Sequence, residues 1–297
     1  MARPAIVLDL DGSTGVPEGA LHLALQDWQP RLRFGCGRQV LDAFERHLDA
    51  VLPPEYGTVL MGSGDFHHLS LPLVKRLTAR RQRPLRLVVI DNHPDNMRYL
   101  FGVHCGSWVR RVAMLPQVSH VHVVGITSSD IGRGHAWENY LRPLLAGKLS
   151  YWSIGVDTSW SRLLGLQHAF RQYDNAALLT EAFCKMLAAH PEDTYLSIDK
   201  DAFSPEVVRT NWDQGQLREA QVMQMIDALN GQLIASDITG DVSEYHHPSA
   251  WKRWLSAGDE QTLAIDPATL QEWQAQQQAM NRRLVARLHG AMENSRV

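Results

Sequence analysis

The segment "LRLVVIDNHPDN" (residues 85–96) decides the fold. It begins with an almost continuous apolar and β-branched run, which is typical of a strand buried on both faces of a parallel sheet. The run ends in a polar turn that is rich in Asp and Asn. The segment therefore predicts a covered parallel sheet that carries polar groups at the carboxyl end of a strand.

The same apolar, strand-like character recurs along the chain, with helical patterns between the strands. Strand candidates are residues 5–10, 58–63, 85–91, 121–127, 151–157, 194–199 and 232–238. Apolar residues recur at helical spacing in 37–52, 69–82, 109–115, 175–190 and 216–229. This alternation predicts an α/β protein: a three-layer α/β/α architecture with a central, mostly parallel sheet, in a single domain spanning residues 1–297.

The last stretch predicts a helix at about 267–290. Asp266 precedes Pro267, and proline is favoured at the first position of a helix. We expect this helix to pack on its own domain, and a contact between subunits is the alternative.

Composition excludes several classes of protein. The 29 Lys and Arg residues nearly balance the 32 Asp and Glu residues, so the net charge of -3 indicates neither a nucleic-acid nor a membrane partner. There is no apolar segment of membrane-spanning length and no signal-peptide pattern, which predicts a soluble, cytoplasmic protein. The three Cys residues form no CxxC pair, whereas the fourteen His residues justify a search for metal ligands.

The search starts at the carboxyl ends of the strands, where parallel α/β sheets bind ligands. Asp91, His93 and Asp95 alternate along an extended segment, so their side chains can converge on one point. Without a cation, buried carboxylates this close would suffer like-charge repulsion and desolvation. The pattern therefore favours a metal site over a simple polar turn.

A second acidic pair, Asp199 and Asp201, ends another predicted strand. Both side chains can lie on the same side of the chain, and Lys200 between them should point away. Together with the first pattern they make five oxygen or nitrogen ligands. One divalent ion with an open position needs fewer, so the count indicates two ions.

Two further segments offer histidines near this edge of the sheet. "LMGSGDFHHLSLP" (60–72) places His67 and His68 just before a helix, and either one can supply a nitrogen ligand. "FGVHCGSWVRRV" (101–112) places His104 at a helix start, where it is a candidate proton shuttle.

These motifs, in this order, resemble the ureohydrolase family, which includes arginases, agmatinases and formiminoglutamases. The family's GGDHS segment resembles "GSGDFHHLSLP", its DxHxD segment matches "DNHPD", and its SxDxDxxDP segment matches "SIDKDAFSP" in all but one place. The agmatinase HGTPFRR segment resembles "HCGSWVRR", and the PGGL and REA segments are echoed by "QGQLREA". The resemblance covers about residues 58–245 and implies the arginase/deacetylase fold.

The resemblance also implies a set of site residues. His67 is preferred to His68 because the family's proline five residues after the ligand then falls on Pro72 without a gap. His104 matches the proton-shuttling histidine, and Asp241 is the nearest equivalent of the substrate-pairing Glu. The implied cofactor is a pair of Mn²⁺ ions per chain, with Zn²⁺ or another divalent metal as the alternative. The implied ligands are His67, Asp91, His93, Asp95, Asp199 and Asp201.

The mechanism expected from this resemblance is hydrolysis of a small guanidino, formimino or amide compound. Water between two cations becomes hydroxide near neutral pH and attacks the C–N carbon. Asp95 would take up the remaining proton, His104 would protonate the leaving nitrogen, and Asp241 would hold a cationic substrate. Members of the family often assemble, so a homo-oligomer is possible.

Two loops depart from the family pattern. "NMRYLFGV" (96–103) replaces the arginase loop that grips an amino acid, and "RTNWDQ" (209–214) replaces a GTP-containing loop. These altered loops keep open a non-catalytic relative. Tandem His67 and His68 resemble the paired general bases of the related deacetylases, which keeps open an amidohydrolase with a single zinc held by Asp91, His93 and one later Asp.

The segment "IVLDLDGSTG" (6–15) suggests a different enzyme. It resembles the nucleophile motif of haloacid dehalogenase-like phosphotransferases, with Asp9 as nucleophile and Asp11 as acid/base. This interpretation explains neither of the two Asp-rich motifs, so we expect the segment to be the first strand of the sheet.

Overall fold

The main feature of the fold is a parallel sheet. The structure is a computed structural model that describes residues 3–245 and 265–294. Within these ranges nine strands form the sheet: β1 (Ile6–Asp9), β2 (Leu21–Ala24), β4 (Thr58–Leu60), β5 (Leu85–Ile90), β7 (Val118–Ile126), β8 (Leu149–Ile154), β9 (Phe170–Tyr173), β10 (Thr194–Asp199) and β11 (Leu233–Thr239). Their order across the sheet is β2-β1-β4-β11-β10-β5-β7-β8-β9, and every neighbouring pair is parallel.

A small antiparallel pair lies apart from this sheet and joins β3 (Gly35–Cys36) to β6 (Val103–His104). The helices are α1 (Gln29–Leu32), α2 (Arg38–Val51), α3 (Ser70–Thr78), α4 (Val109–Val112), α5 (Leu141–Leu145), α6 (Ala176–Ala189), α7 (Glu219–Ala228) and α8 (Pro267–Glu293).

Helices cover both faces of the sheet. Alternate residues of β5 point to opposite sides, so that Leu87 and Val89 join one hydrophobic core while Val88 and Ile90 join the other. The first core includes buried residues of α2, α3, α4 and α5, and the second includes those of α6, α7 and α8. The predicted three-layer α/β/α fold with a parallel central sheet is confirmed.

All seven predicted strands are present, but the two edge strands were not predicted. In β2 three of the four residues are exposed, and β9 has the mixed sequence Phe-Arg-Gln-Tyr. Because an edge strand buries only part of its surface, neither segment has the apolar run that reveals the inner strands.

The C-terminal helix begins where the sequence predicts. The Asp266 carboxylate accepts the backbone N–H groups of Ala268 (3.1 Å) and Thr269 (3.0 Å), and Pro267 occupies the first turn. Buried residues of α8, including Leu284 and Leu288, pack into the second core. No helix in residues 3–245 or 265–294 is both long and apolar enough to cross a membrane.

Replacing Asp266 by alanine is expected to lower the free energy of unfolding by about 1 kcal/mol, because two N–H groups of the first turn lose their acceptor. Urea denaturation measures the change. Asp266→Asn is the control, since asparagine is also a good cap and should retain most of the stability. Equal stability of Asp266→Ala and the unchanged protein would contradict this role.

Candidate metal centre

The centre of the sheet brings the predicted ligands together. Strands β4, β11, β10 and β5 are neighbours, and the loops at their carboxyl ends share one edge of the sheet. The six residues that gather there are named the carboxylate–histidine cluster: His67, Asp91, His93, Asp95, Asp199 and Asp201. All six line one cavity of about 390 Å³.

The first half of the cluster surrounds one ring nitrogen. His67 Nδ1 lies 2.9 Å from Asp95 Oδ2, 3.1 Å from Asp91 Oδ2 and 3.4 Å from Asp199 Oδ2. All four side chains are at least 94% buried. Three carboxylate oxygens thus converge on one ring atom in a buried space, so this is a point at which a cation would be stabilised.

The second half is built around His93. Its Nδ1 lies 2.9 Å from Asp201 Oδ2 and 3.6 Å from Asp91 Oδ1. Ligand atoms of Asp91, His93 and Asp201 lie within 4.8 Å of one another, as do those of His67, Asp91 and Asp95. Asp91 therefore belongs to both groups.

Electrostatics show that the cluster suits a cation. Burial and the neighbouring Asp91 carboxylate raise the pKa of Asp95 and that of Asp201 to about 7. Burial and Asp201 raise the pKa of Asp199 well above its usual range. In addition, Asp91 Oδ2 is buried and makes no hydrogen bond with any residue that the structure describes. Oxygen and imidazole donors crowded in this way match the ligand chemistry of divalent ions such as Mn²⁺.

A buried relay fixes the His67 ring. Ser197 Oγ lies 2.9 Å from His67 Nε2 and 2.6 Å from Asp237 Oδ1, and Tyr195 donates its hydroxyl to the other oxygen of Asp237 (2.6 Å). Because Ser197 donates to Asp237, it accepts from His67 Nε2–H. In the neutral form of the ring, this leaves the Nδ1 lone pair directed at the carboxylates. The sequence analysis did not single out Asp237; its signal is an acidic residue within the apolar run of β11.

Asp95 is held by an indole and an unusual backbone conformation. Trp108 Nε1–H donates to Asp95 Oδ2 (2.6 Å), and the backbone φ of Asp95 is +47°. Few residues other than Gly adopt this left-handed region, and Asp and Asn do so most readily. The turn of the DxHxD segment is therefore compatible with an acidic residue at this position.

His104 lines the same cavity, beside an aromatic wall. Gly106 N–H donates to His104 Nδ1 (3.0 Å), so the proton of the neutral ring is on Nε2. Burial and the charge of Arg110 lower the pKa of His104 to about 4. The ring of Phe34 stacks between those of His104 and Trp212, at centroid distances of 6.1 and 6.2 Å.

The structure does not bring Asp241 to the cavity. Asp241 is 1% exposed, and its Oδ1 accepts hydrogen bonds from Lys200 Nζ (2.5 Å) and Asn281 Nδ2 (3.0 Å). This carboxylate pairs with a buried lysine and does not line the cavity, so its role toward a cationic substrate stays a prediction. The predicted orientation of Lys200, away from Asp199 and Asp201, agrees with this contact.

His68, Asp9 and Asp11 also lie outside the cavity lining. The Asp9 carboxylate contacts His22 Nε2 (2.9 Å) and Gln26 Nε2 (2.6 Å), while Asp11 accepts from the hydroxyls of Ser13 and Ser243. The two aspartates of the first strand therefore organise loops rather than the cavity.

The fold and this cluster together define an α/β/α protein with a candidate divalent-metal site at the carboxyl edge of its parallel sheet. The chain belongs to the arginase family, whose family model matches residues 18–249. The resemblance to ureohydrolases is thereby confirmed.

Individual relatives are distant. A protein of Thermotoga maritima, described as uncharacterized, is 26% identical over 195 residues, which cover 65% of this chain and 62% of that protein. The match thus spans less than two thirds of that relative. The arginase of Bacillus caldovelox has 12% identity and a TM-score of 0.55, over 100% of both chains. A formiminoglutamase of Trypanosoma cruzi with Mn²⁺ has 14% identity and a TM-score of 0.52, over 85% of this chain and 71% of that one. These two structural similarities show that this protein has the same fold as the arginase and the formiminoglutamase.

Proposed function

We propose that this protein is a ureohydrolase with a binuclear centre that prefers Mn²⁺ and hydrolyses a C–N bond of a small guanidino, formimino or amide compound. The observation that carries the proposal is the sharing of Asp91 between two groups of ligand atoms. One ion alone would leave part of a fully buried set of four carboxylates without compensation. The proposed ligands are His67, Asp91, His93, Asp95, Asp199 and Asp201.

Manganese is supported by the donor set and by a structural neighbour. Carboxylate oxygens dominate the cluster, and such ligands suit Mn²⁺. The Trypanosoma cruzi formiminoglutamase with a similar fold contains Mn²⁺. When bound, two adjacent cations of this kind supply a nucleophile near neutral pH by lowering the pKa of coordinated water.

The protein's own side chains would handle protons and position the substrate. Asp95, whose carboxylate lines the cavity beside His67, is proposed to accept a proton from the attacking water. An imidazolium with a pKa of about 4 is a strong acid, so a proton that reaches His104 passes readily to the leaving nitrogen. The planar ring of Trp212 forms one wall beside the substrate space.

The proposal is tested by metal analysis combined with a product screen. Protein loaded with Mn²⁺ should contain two ions per chain and release urea or ammonia from at least one guanidino, formimino or amide compound. One zinc per chain would instead favour the single-zinc amidohydrolase. No divalent-metal binding at micromolar concentration would favour the non-catalytic relative.

His104→Asn is expected to lower kcat by about 10²- to 10⁴-fold, the usual contribution of a positioned proton donor. Metal content should not change, because His104 is outside both groups of ligand atoms. Steady-state kinetics and metal analysis measure the two effects. The control His168→Asn changes an exposed histidine and should retain full activity; an equal kcat for both variants would refute the role of His104.

A further inference from the structure

The loop between β10 and α7 carries a carboxylate that contacts the second half of the cluster. This is the segment "RTNWDQ" (209–214), which departs from the family pattern. Asp213 Oδ1 lies 2.7 Å from His93 Nε2, and Asp213 Oδ2 accepts the side-chain N–H of Asn92 (2.9 Å). One side chain thus contacts two consecutive residues of the DxHxD turn.

The contact gives a proton on His93 Nε2 an acceptor. A neutral imidazole carries one proton, and a carboxylate can only accept it. Nδ1 faces Asp201 and Nε2 faces Asp213, so either nitrogen can donate to a carboxylate. A cation bound at Nδ1 requires the proton to be on Nε2, where Asp213 accepts it. Nδ1 is also the atom that lies 2.9 Å from Asp201 Oδ2, on the side of the carboxylates. Asp213 therefore stabilises the form of His93 that can bind a cation.

Asn92 makes Asp213 a fixed partner rather than a chance surface contact. Asn92 is fully buried, and its Oδ1 accepts from both the backbone N–H (3.1 Å) and the hydroxyl (2.6 Å) of Thr127. Its backbone N–H donates to Asp201 Oδ1 (3.1 Å). The amide that holds Asp213 is therefore itself anchored to the end of β7 and to the cluster.

The rings of His67 and His93 are oriented in the same way, but by different supporting residues. Both rings present Nδ1 to the carboxylates and Nε2 to a supporting group. For His67 the support is the buried relay of Ser197 and Asp237, whereas for His93 it is Asp213 directly. The Asp213 side chain is 46% exposed, so it can be replaced without opening the core.

We propose that Asp213 is a positioning residue that fixes the tautomer and orientation of His93 and so strengthens binding of one of the two cations. This inference rests on the binuclear centre of the proposed function. Loss of an outer partner of a metal-binding histidine typically weakens metal affinity about 10- to 100-fold.

The test is calorimetric titration of metal-free protein with Mn²⁺. The unchanged protein should bind two ions, and Asp213→Asn should weaken one of them by about 10- to 100-fold while the other is unaffected. Asp213→Glu keeps the carboxylate and should recover part of the affinity. The control Glu138→Gln removes one negative charge from the same cavity, but its partner is His135, which is outside the cluster.

The possible results separate this inference from the proposed function. Unchanged affinities in Asp213→Asn would overturn the role of Asp213 and leave the binuclear centre intact. Equal weakening by Glu138→Gln would also overturn it, since cavity charge rather than the contact with His93 would then be responsible. Fewer than two ions in the unchanged protein would overturn the centre itself. Thermal unfolding of each metal-free variant verifies that it is folded. If Asp213→Asn is not folded, Asp213→Ser takes its place in the titration.

Discussion

Asp91→Ala is expected to lose metal binding and turnover together. Asp91 is the residue that both groups of ligand atoms share, and its side chain is 1% exposed. In the proposed binuclear centre its removal would take one ligand from each cation, and it leaves His67 and His93 without their common partner. Since bound metal contributes several kcal/mol to transition-state stabilisation, kcat/KM should fall by about 10³-fold or more.

Metal analysis and the urea or ammonia assay measure the two losses in the same preparation. Asp9→Asn is the matched control, because Asp9 is also an acidic residue at the carboxyl end of a strand but contacts His22 and Gln26 outside the cavity. This control should keep both metal and activity. An Asp91→Ala protein that holds two ions and turns over substrate would refute the proposed centre. An Asp9→Asn protein that loses metal or activity would show that the loss is not specific to the cluster.

The second large effect concerns stability. Lys200→Met is expected to lower the free energy of unfolding by about 3–5 kcal/mol, because it leaves the buried Asp241 carboxylate without its cation. Both side chains of this pair are 0% exposed. Burial works against the charge of Lys200 and lowers its pKa, so the ammonium depends on the Asp241 carboxylate.

Urea denaturation of the metal-free protein measures this change. Lys185→Met is the control: its partner Glu181 is also 2.6 Å away, but the two side chains are 74% and 61% exposed, and the loss should be below about 1 kcal/mol. The double variant Lys200→Met/Asp241→Leu should recover much of the stability, since an apolar pair can replace a buried ion pair. A Lys200→Met protein as stable as Lys185→Met would contradict the argument.

Much of the site can be predicted from the sequence because its chemistry lies at strand ends. The inner strands have long apolar runs, and in a parallel sheet their carboxyl ends must meet at one edge. Alternation along an extended chain then places Asp91, His93 and Asp95 together, and likewise Asp199 and Asp201. The structure places all five in one cavity, together with His67.

The supporting contacts could not be predicted in the same way. Trp108, Asp213 and Asp237 reach the cluster from other elements, and nothing in their local sequence indicates which side chain they meet. Asp241 illustrates the limit most clearly. Gly240, with φ of +90°, lies against Asp199 Oδ1 and Lys200 N, so the backbone turns there. The next carboxylate, Asp241, contacts Lys200 and Asn281 of α8 instead of the cavity.

The C-terminal helix Pro267–Glu293 is made last, yet it contacts a turn that belongs to the cluster. Lys200 Nζ donates to Asn281 Oδ1 (2.8 Å), so the turn that bears two of the acidic residues is supported by a helix translated much later. While the chain is being made, the buried lysine lacks this acceptor, and Asp241 lacks the Asn281 donor. We therefore expect the Lys200–Asp241 pair, and the turn that bears Asp199 and Asp201, to reach their final arrangement only after the last helix has been made.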